Sequence, residues 1–423
     1  MFNNGLLVDQ SKDVYVERLK EAVAIPSVSG DCQYRDDVFK MSEWLVKLFQ
    51  KLGVSYEIAD IGTHQMAGKT LKLPPILLGT YGNDPKKKTI LVYGHYDVQP
   101  ALIEDGWDSD PWKLTTDSNG RMVGRGSSDD KGPIIGWLNA IEAHQKAGIE
   151  FPVNLKICFE GMEESGSENL DELIAKEAKR YFKDVDAVCI SDNYWLGVTK
   201  PCLTYGLRGI CYFELIVSGP GRDLHSGVFG GTVYEPMTDL VYLLSKLVKP
   251  NGEILIPGIL DDVAALTGAF SASGAKTVIP CSVRGKFSIR LVPDMDPERV
   301  KNLAEDYLRK EFEKLGTKNQ FKLETLHGAK AWVASPNHWN FVAASKAVES
   351  VYNCRPDFTR EGGSIPVTLT FQDLLGKNVL LLPMGRGDDG AHSTNEKLDL
   401  SNYIQGIKLL GAYLHEVSAI KTD

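Results

Sequence analysis

Acidic and histidine side chains follow several short apolar runs of this chain, at the points where those runs end. The runs and the residues behind them are 89–93 with His95 and Asp97, 153–159 with Glu163 and Glu164, and 187–190 with Asp192. Parallel strands that end at one edge of a sheet bring their trailing residues together. Imidazole nitrogens and carboxylate oxygens are ligands of divalent metal ions. The sequence therefore predicts a metal site at the strand ends of a sheet.

Two further candidate ligands lie in glycine-rich segments. Asp129 precedes a second aspartate in the segment 124–132, and His392 lies in the segment 385–393. Glycine permits unusual backbone angles and close approach. An isolated aspartate pair ahead of Pro133 is also typical of a turn or a helix cap. Because the candidate ligands exceed what one zinc ion needs, we interpret the set as two ions that share a bridging carboxylate.

Glu163 and Glu164 are adjacent, so their side chains diverge and need not have the same role. One can ligate metal, while the other faces a water molecule, takes its proton and later delivers it to a leaving amine. The alternative is a pair of solvated glutamates on a loop, and Asp192 could likewise begin a turn. His95 and Asp97 share a face of an extended segment, so Asp97 can fix the tautomer of the His95 ring.

The order of strand and helix signals predicts an α/β fold with a mostly parallel central sheet flanked by helices. Predicted strands are 89–93, 153–159, 187–190 and 378–382, and predicted helices are 38–52, 133–147, 171–179, 339–351 and 402–416. Gly53 is the expected end of the first helix. Residues 1–204 and 327–423 are assigned to this catalytic domain.

The stretch 205–326 has a different pattern of strand and helix signals, which predicts a smaller inserted α+β domain. Its predicted strands are 211–217, 285–292 and 321–326, and its predicted helices are 237–248 and 297–315. An insertion is favoured because His392 lies beyond this stretch and still completes the ligand set.

Composition excludes several classes of protein. Lys and Arg total 47 against 56 Asp and Glu, a formal charge of -9, which argues against a nucleic-acid partner. The chain has no run of 18 apolar residues, so we expect no membrane span. Residues 1–20 are polar and charged, so we expect no export signal. Seven cysteines without a C-x-x-C pair fit a reducing, cytoplasmic setting.

Seven segments together resemble the M20 family of dinuclear metallopeptidases, and within it the carnosinase-like cytosolic nonspecific dipeptidases. The segments are 93–100, 124–132, 160–167, 190–195, 223–227, 360–366 and 389–397. The resemblance implies two divalent metal ions per subunit, Zn²⁺ or Mn²⁺. It implies Asp129 as the bridging ligand, His95 and Asp192 on one metal, Glu164 and His392 on the other, Glu163 as the general base and Asp97 as the residue that orients His95. It also implies a cis peptide bond after Asp129.

The resemblance further implies that 205–326 is a lid and dimerisation domain and that the protein is a homodimer with shared active sites. His225 is expected to reach the partner's site and polarise the scissile carbonyl, and Thr277 to contribute across the dimer. Arg290 and Ser364 are expected to hold the substrate carboxylate, and His392 is also counted among the substrate-binding residues. From the residues alone, His225 reads as a loop histidine and Arg290 as a surface cation.

The activity implied is metal-dependent hydrolysis of dipeptides with a free C-terminal carboxylate, with Cys-Gly among the candidate substrates. One alternative is another M20 reaction, such as N-acyl amino acid deacylation or carboxypeptidase action. The chain also departs from the family near 260–270, where the lid is shortened by several dozen residues. A catalytically impaired binding or scaffold protein is therefore the alternative from a different class.

Overall fold

The computed structural model describes residues 3–219, 221–259, 265–269 and 278–420 of the 423-residue chain. The chain divides into two compact units. The first comprises the residues up to Tyr205, Ala334–Arg360 and the residues from Thr370 onward, and the second comprises Gly206–Val333 and Glu361–Leu369. The assignment of these parts as a catalytic domain and a lid stays a prediction.

The described residues form α-helices and strands with the following bounds. The helices are α1 (Asn3–Gln10), α2 (Lys12–Val23), α3 (Arg35–Leu52), α4 (Lys131–Ala147), α5 (Leu170–Glu177), α6 (Ser226–Phe229), α7 (Pro236–Ser245), α8 (Pro297–Lys314), α9 (Trp339–Tyr352), α10 (Val367–Leu375) and α11 (Leu400–Ala419). The strands of the first half are β1 (Ser55–Ala59), β2 (Thr63–Met66), β3 (Lys69–Lys72), β4 (Ile76–Tyr81), β5 (Thr89–His95), β6 (Thr115–Thr116), β7 (Arg121–Val123), β8 (Asn154–Glu160), β9 (Ala187–Ile190) and β10 (Cys202–Leu207). The later strands are β11 (Gly209–Ser218), β12 (Leu224–His225), β13 (Ala265–Ala269), β14 (Val278–Ile279), β15 (Ser282–Leu291), β16 (Gln320–Ala329), β17 (Trp332–Val333), β18 (Asp357–Glu361), β19 (Val379–Leu381) and β20 (Lys397–Asp399).

The central sheet of the first unit has the order β1-β4-β8-β5-β9-β19-β10. Its middle is parallel, since β8, β5, β9 and β19 pair in parallel, while the outer pairings are antiparallel. Every residue of β5, β8 and β9 is buried, as expected for strands covered on both faces. The predicted α/β fold with a mostly parallel central sheet is confirmed.

Helices cover this sheet. Helix α3 ends where Gly53 adopts a left-handed φ of 69°, the conformation that glycine takes at low cost, as predicted. Helix α4 begins two residues before the predicted start, with Pro133 in its first turn. Helix α11 packs against both α4 and α9. No helix in the described part of the chain is both long and apolar enough to cross a membrane.

The second unit contains a four-stranded antiparallel sheet in the order β13-β15-β11-β16. Helices α7 and α8 pack against it. The core between them includes stacked rings of Phe213 and Phe287, whose centroids lie 5.0 Å apart. An antiparallel sheet packed against helices is the α+β arrangement that the sequence predicts for this stretch.

Candidate metal centre

The candidate ligands lie at one edge of the central sheet because the parallel strands end there together. His95 is the last residue of β5 and pairs in register with Glu160, the last residue of β8. A 3₁₀ turn, Glu163–Ser165, follows β8, and Asp192 lies just after β9. The carboxyl ends of parallel strands are where α/β sheets place their binding sites.

His95, Asp129 and Asp192 form a first group of potential ligands. The Nε2 atom of His95 lies 3.2 Å from Oδ1 of Asp129 and 3.6 Å from Oδ1 of Asp192. All three residues are buried. One imidazole nitrogen and two carboxylate oxygens therefore converge on a single point.

Asp129, Glu164 and His392 form a second group. The Nε2 atom of His392 lies 3.0 Å from Oδ2 of Asp129 and 3.1 Å from Oε2 of Glu164. The His392 side chain is 57% exposed, so this group opens toward solvent. Asp129 belongs to both groups and presents a different oxygen to each histidine, which is the arrangement of a bridging carboxylate.

Asp97 lies beside His95 and contacts its ring through the other nitrogen. The Nδ1 atom of His95 lies 3.0 Å from the Asp97 carbonyl oxygen and 3.4 Å from its carboxylate. A proton on Nδ1 donated to that carbonyl leaves the Nε2 lone pair facing Asp129. The Asp97 carboxylate also accepts hydrogen bonds from the backbone N–H groups of Glu163 and Glu164, at 3.2 and 3.1 Å.

The charge balance of the centre fits a divalent cation. The carboxylates form their ion pairs with histidine rings, which carry charge only when protonated. Burial raises the pKa of Asp192 and of Glu164, and the neighbouring Asp129 raises both further. Burial acts in the same direction on Asp129, but hydrogen bonds from His392 and His95 outweigh it and hold the pKa of Asp129 below its ordinary value. Metal ions would supply the positive charge that these carboxylates lack, so the residues present fit such a group.

Glu163 stands beside the two groups without belonging to either. Its Oε2 atom lies 4.0 Å from Nε2 of His95. Burial raises the pKa of Glu163 well above its ordinary value, and the carboxylates of Asp192 and Glu164 raise it further. A carboxyl group with a raised pKa beside potential ligands suits proton transfer, but the role of Glu163 as the general base stays a prediction.

The structure adds features that the sequence reasoning missed. Gln99 donates a hydrogen bond of 2.8 Å to Oε2 of Glu164. The buried carboxylate of Glu396 accepts hydrogen bonds from the loop that carries Asp129. Glu396 lies within segment 389–397, one of the seven that resemble the M20 family, and this was the one sign in the sequence that it could belong to the site. The cis peptide bond between Asp129 and Asp130 is present as expected.

A third acidic group is filled by a lysine. Asp388, Asp389 and Asp399 lie close enough together to hold an ion. The Nζ atom of Lys397 lies 3.1, 2.7 and 2.7 Å from them, so the ammonium group already supplies the cation.

Of the predicted substrate-binding residues that the structure describes, His225, Arg290 and Ser364 lie in the second unit and His392 lies in the first. Nη1 of Arg290 donates a hydrogen bond of 2.9 Å to Oγ of Ser364, which donates in turn to the carbonyl of Arg208. Burial lowers the pKa of Arg290, and the charge of Arg208 lowers it further. His225 is exposed, and its Nδ1 atom accepts a hydrogen bond from the N–H of Gly227. Thr277 lies outside the described residues.

Residues 91–416 match the family model described as peptidase family M20/M25/M40. The Cys-Gly metallodipeptidase dug1 of Schizosaccharomyces pombe is 54% identical, over 98% of each chain. The Beta-Ala-His dipeptidase of Mus musculus is 40% identical, over 97% of this chain and 94% of the mouse protein. The solved structure of the dipeptidase Dug1p from Saccharomyces cerevisiae superposes with a TM-score of 0.96 at 47% identity and covers 99% of this chain and 98% of the other. The alignment with the S. pombe protein runs over 464 residues, more than the 423 of this chain, so it contains positions that this chain lacks.

Proposed function

The chain belongs to peptidase family M20/M25/M40, and from that premise we propose that it is a metal-dependent dipeptidase acting on dipeptides with a free C-terminal carboxylate. The observation that carries the proposal is Asp129, whose two oxygens face His95 and His392 separately. Two divalent ions, Zn²⁺ or Mn²⁺, would be held there, by His95 and Asp192 on one side and by Glu164 and His392 on the other. Cys-Gly is proposed as a substrate because the S. pombe relative is a Cys-Gly metallodipeptidase.

Glu163 is assigned the proton transfers of this reaction. Divalent ions at the centre would supply Lewis-acid polarisation of the scissile carbonyl and a lowered pKa for water. The Glu163 carboxylate takes the proton of the attacking water and later delivers it to the leaving amine. Its burial beside Asp192 and Glu164 supports this role, because a raised pKa makes the proton easier to hold between the two transfers.

Arg290 and Ser364 are assigned to the carboxylate of the substrate. An arginine guanidinium suits this task because it binds carboxylates in a bidentate manner. The hydrogen bond between Arg290 and Ser364 holds both side chains at one point of the second unit. Recognition of a terminal carboxylate would restrict the enzyme to short peptides.

We propose that the protein works as a homodimer in which His225, and Thr277 with it, serve the partner's site. Exposed apolar side chains within residues 228–241 of the second unit support the dimer, and they belong to Val228, Phe229, Tyr234, Met237 and Val241. Val228 and Val241 are 66% and 58% exposed. Apolar side chains exposed in one contiguous patch are typical of contact with another protein, and their closeness in sequence favours such a patch here.

A cytoplasmic location is proposed from the cysteines. Cys158 and Cys189 are free thiols buried in central strands, and the chain has no C-x-x-C pair. Free cysteines are typical of proteins in a reducing compartment.

A substrate panel tests the proposed function. Purified protein would be reconstituted with Zn²⁺ or Mn²⁺ and given Cys-Gly, other dipeptides, blocked dipeptide amides, tripeptides and N-acyl amino acids. We expect hydrolysis of dipeptides with a free carboxylate and little turnover of their amides. Activity on N-acyl amino acids without activity on dipeptides would replace the dipeptidase assignment by a deacylase assignment.

The second candidate function is an impaired enzyme that acts as a binding or scaffold protein. The observation that favours it is the alignment of 464 residues against a chain of 423, since residues present in an active relative are missing here. The predicted shortening near 260–270 lies mostly outside the described residues. Undetectable dipeptide turnover in fully metallated, dimeric protein would support this alternative.

A further inference from the structure

Glu396 is a fully buried carboxylate that accepts hydrogen bonds from the backbone of the loop 126–129. Its side chain is 0% exposed. It accepts five hydrogen bonds, from Nη1 of Arg125 at 2.8 Å, Gly126 N at 3.1 Å, Ser128 N at 3.0 Å, Ser128 Oγ at 3.3 Å and Asp129 N at 3.1 Å. The last of these donors is the backbone of the residue shared by both groups of potential ligands. A buried anion therefore fixes the loop at Asp129 itself.

Lys397, the next residue, holds a different loop, which contains Asp388 and Asp389. Its ammonium group binds Asp388, Asp389 and Asp399, and its backbone N–H donates to the carbonyl of Asp389. Successive side chains of an extended segment point to opposite sides, so neighbours can serve two different loops. The Glu396 carbonyl also accepts a hydrogen bond of 2.9 Å from Gly124 N.

Asp129 and His392 come from loops that are distant in sequence, and each must be held at a fixed place for the two to meet. Lys397 ties down the segment that precedes it and contains His392. Glu396 ties down the segment 125–129. Because Glu396 and Lys397 are consecutive residues, the two loops are held by neighbouring side chains.

We propose that Glu396 is a positioning residue that sets the two carboxylate oxygens of Asp129 toward His95 and His392 and thereby sets the affinity of the centre for divalent metal. This inference rests on the proposed function, since it concerns the same site. Glu396 belongs to neither group of potential ligands, and it accepts a hydrogen bond from the backbone N–H group of Asp129. Its effect on metal binding is therefore exerted through Asp129.

A carboxylate suits this position better than an amide. Glu396 faces three backbone N–H groups, a hydroxyl and a guanidinium, and both of its oxygens accept from them. A glutamine of the same shape has one acceptor oxygen, and its NH₂ group would be directed at other donors. It would also leave the buried guanidinium of Arg125 without its counter-charge.

The test is Glu396→Gln, with metal affinity as the readout. Metal-free protein would be titrated with Zn²⁺ by calorimetry and with Co²⁺ by visible absorption, which reports ligand geometry. We expect the affinity for metal to fall about 10- to 100-fold, the usual effect of changing a residue that orients a ligand. The Co²⁺ spectrum should also change, because the ligand oxygens of Asp129 move.

The matched control is Glu142→Gln. Glu142 is also a buried carboxylate bound to an arginine, with 2.8 Å between it and Nη2 of Arg18, but it belongs to neither group of potential ligands. We expect this variant to lose stability and to keep the metal affinity and the Co²⁺ spectrum of the wild type. Equal losses of metal affinity in both variants would mean that Glu396 is merely structural, which would overturn the proposal.

Folding of the metal-free variants would be checked by circular dichroism. If Glu396→Gln does not fold, Ser128→Ala carries the test, since it removes one donor to the same carboxylate and should weaken metal binding by a smaller factor. A folded Glu396→Gln protein, or failing that a folded Ser128→Ala protein, with wild-type metal affinity would overturn the proposal. The readout does not need turnover. A wild type that binds metal but hydrolyses no dipeptide would refute the proposed function alone, while normal metal binding by the variant of an active wild type would refute this inference alone.

Discussion

At the scale of single residues, Asp129 and Glu163 have pKa shifts of opposite direction, although both carboxylates lie near the Nε2 atom of His95. Hydrogen bonds from His392 and His95 hold the pKa of Asp129 low despite its burial. Burial and neighbouring carboxylates raise the pKa of Glu163, which lacks such donors among its described contacts. A group with a low pKa stays ionised and suits ligation, and one with a raised pKa suits proton transfer.

Replacing Glu163 by glutamine tests this division of tasks. Glu163→Gln keeps the shape of the side chain but removes the proton acceptor, and Glu163 belongs to neither group of potential ligands. We expect metal content to be retained and kcat for dipeptides to fall about 100- to 10,000-fold, the range attributed to general acid–base catalysis. Metal analysis together with steady-state kinetics measures both quantities.

The control for this variant is Glu172→Gln, an exposed glutamate on α5. It should keep both metal content and turnover. Loss of metal from Glu163→Gln, with normal kcat in the fraction that stays loaded, would show that Glu163 is a ligand rather than the base.

Asp97→Asn should weaken metal binding at the centre. Asp97 holds the N–H groups of Glu163 and Glu164 with its two carboxylate oxygens and faces the ring of His95. An asparagine offers one acceptor in place of two, so one of these N–H groups loses its partner. We expect metal affinity to fall about 10- to 100-fold. Calorimetric titration of metal-free protein checks this, and an unchanged affinity would contradict the orienting role.

Some of the candidate ligands could be predicted from sequence because their chemistry and their place behind apolar runs are both visible there. His95 and Asp192 are examples, since each follows a run whose strand is buried throughout. Glu396 could not be assigned a role in this way. Its partners are mainly backbone N–H groups, which every residue but proline carries, so only the folded loop shows which of them point at it.

At the scale of elements, long periodic helices were predicted well, whereas two strands at one end of the central sheet were not. Helix α9 and helix α8 lie within one residue of the predicted bounds at each end. Strand β4, which pairs with β8, and the half-exposed β1 beside it were not predicted. Strand β1 lacks a continuous apolar run, because only part of it is covered, and such strands resemble loops in sequence.

Two histidines, His144 of α4 and His415 of α11, form a pair between these helices. The Nε2 atoms of His144 and His415 lie 3.0 Å apart, and the rings are stacked with centroids 5.1 Å apart. Nδ1 of His144 lies 2.7 Å from the carbonyl of Ala140, one helical turn before it. Burial lowers the pKa of both histidines, and the pairing also lowers that of His144.

This pair predicts a loss of stability in mild acid. The folded pKa values lie below the ordinary value of 6.5, so the unfolded chain binds protons that the folded chain does not. The stabilisation is complete above pH 6.5 and is lost as the pH falls through the folded pKa values. We expect the free energy of unfolding to decline over that window in wild type and to decline less in His144→Phe.

Urea unfolding of metal-free protein at a series of pH values measures this slope. If His144→Phe has the wild-type slope, the acid sensitivity arises elsewhere.

At the scale of the whole molecule, the predicted roles are divided between two units of the chain. The candidate metal ligands all belong to the first unit, and His225, Arg290 and Ser364 belong to the second. The sequence could indicate an inserted part because the ligand set resumes beyond it. It could not show that 361–369 groups with the second unit, because that grouping depends on contacts between segments distant in sequence.

Mixing two inactive variants tests whether active sites are shared across the proposed dimer. His225→Ala and Arg290→Ala should each lower kcat/KM strongly as homodimers. If His225 serves the partner's site and Arg290 its own, one of the two sites in a heterodimer has both residues intact, and activity returns.

Differently tagged chains, co-expressed and purified through both tags, would give the heterodimer. The matched control is a heterodimer of wild type with a chain that carries both substitutions. In that control each site lacks one of the two residues, so it should stay inactive although it carries the same two substitutions. Recovery in the control and none in the mixed pair would instead assign His225 to the site of its own chain.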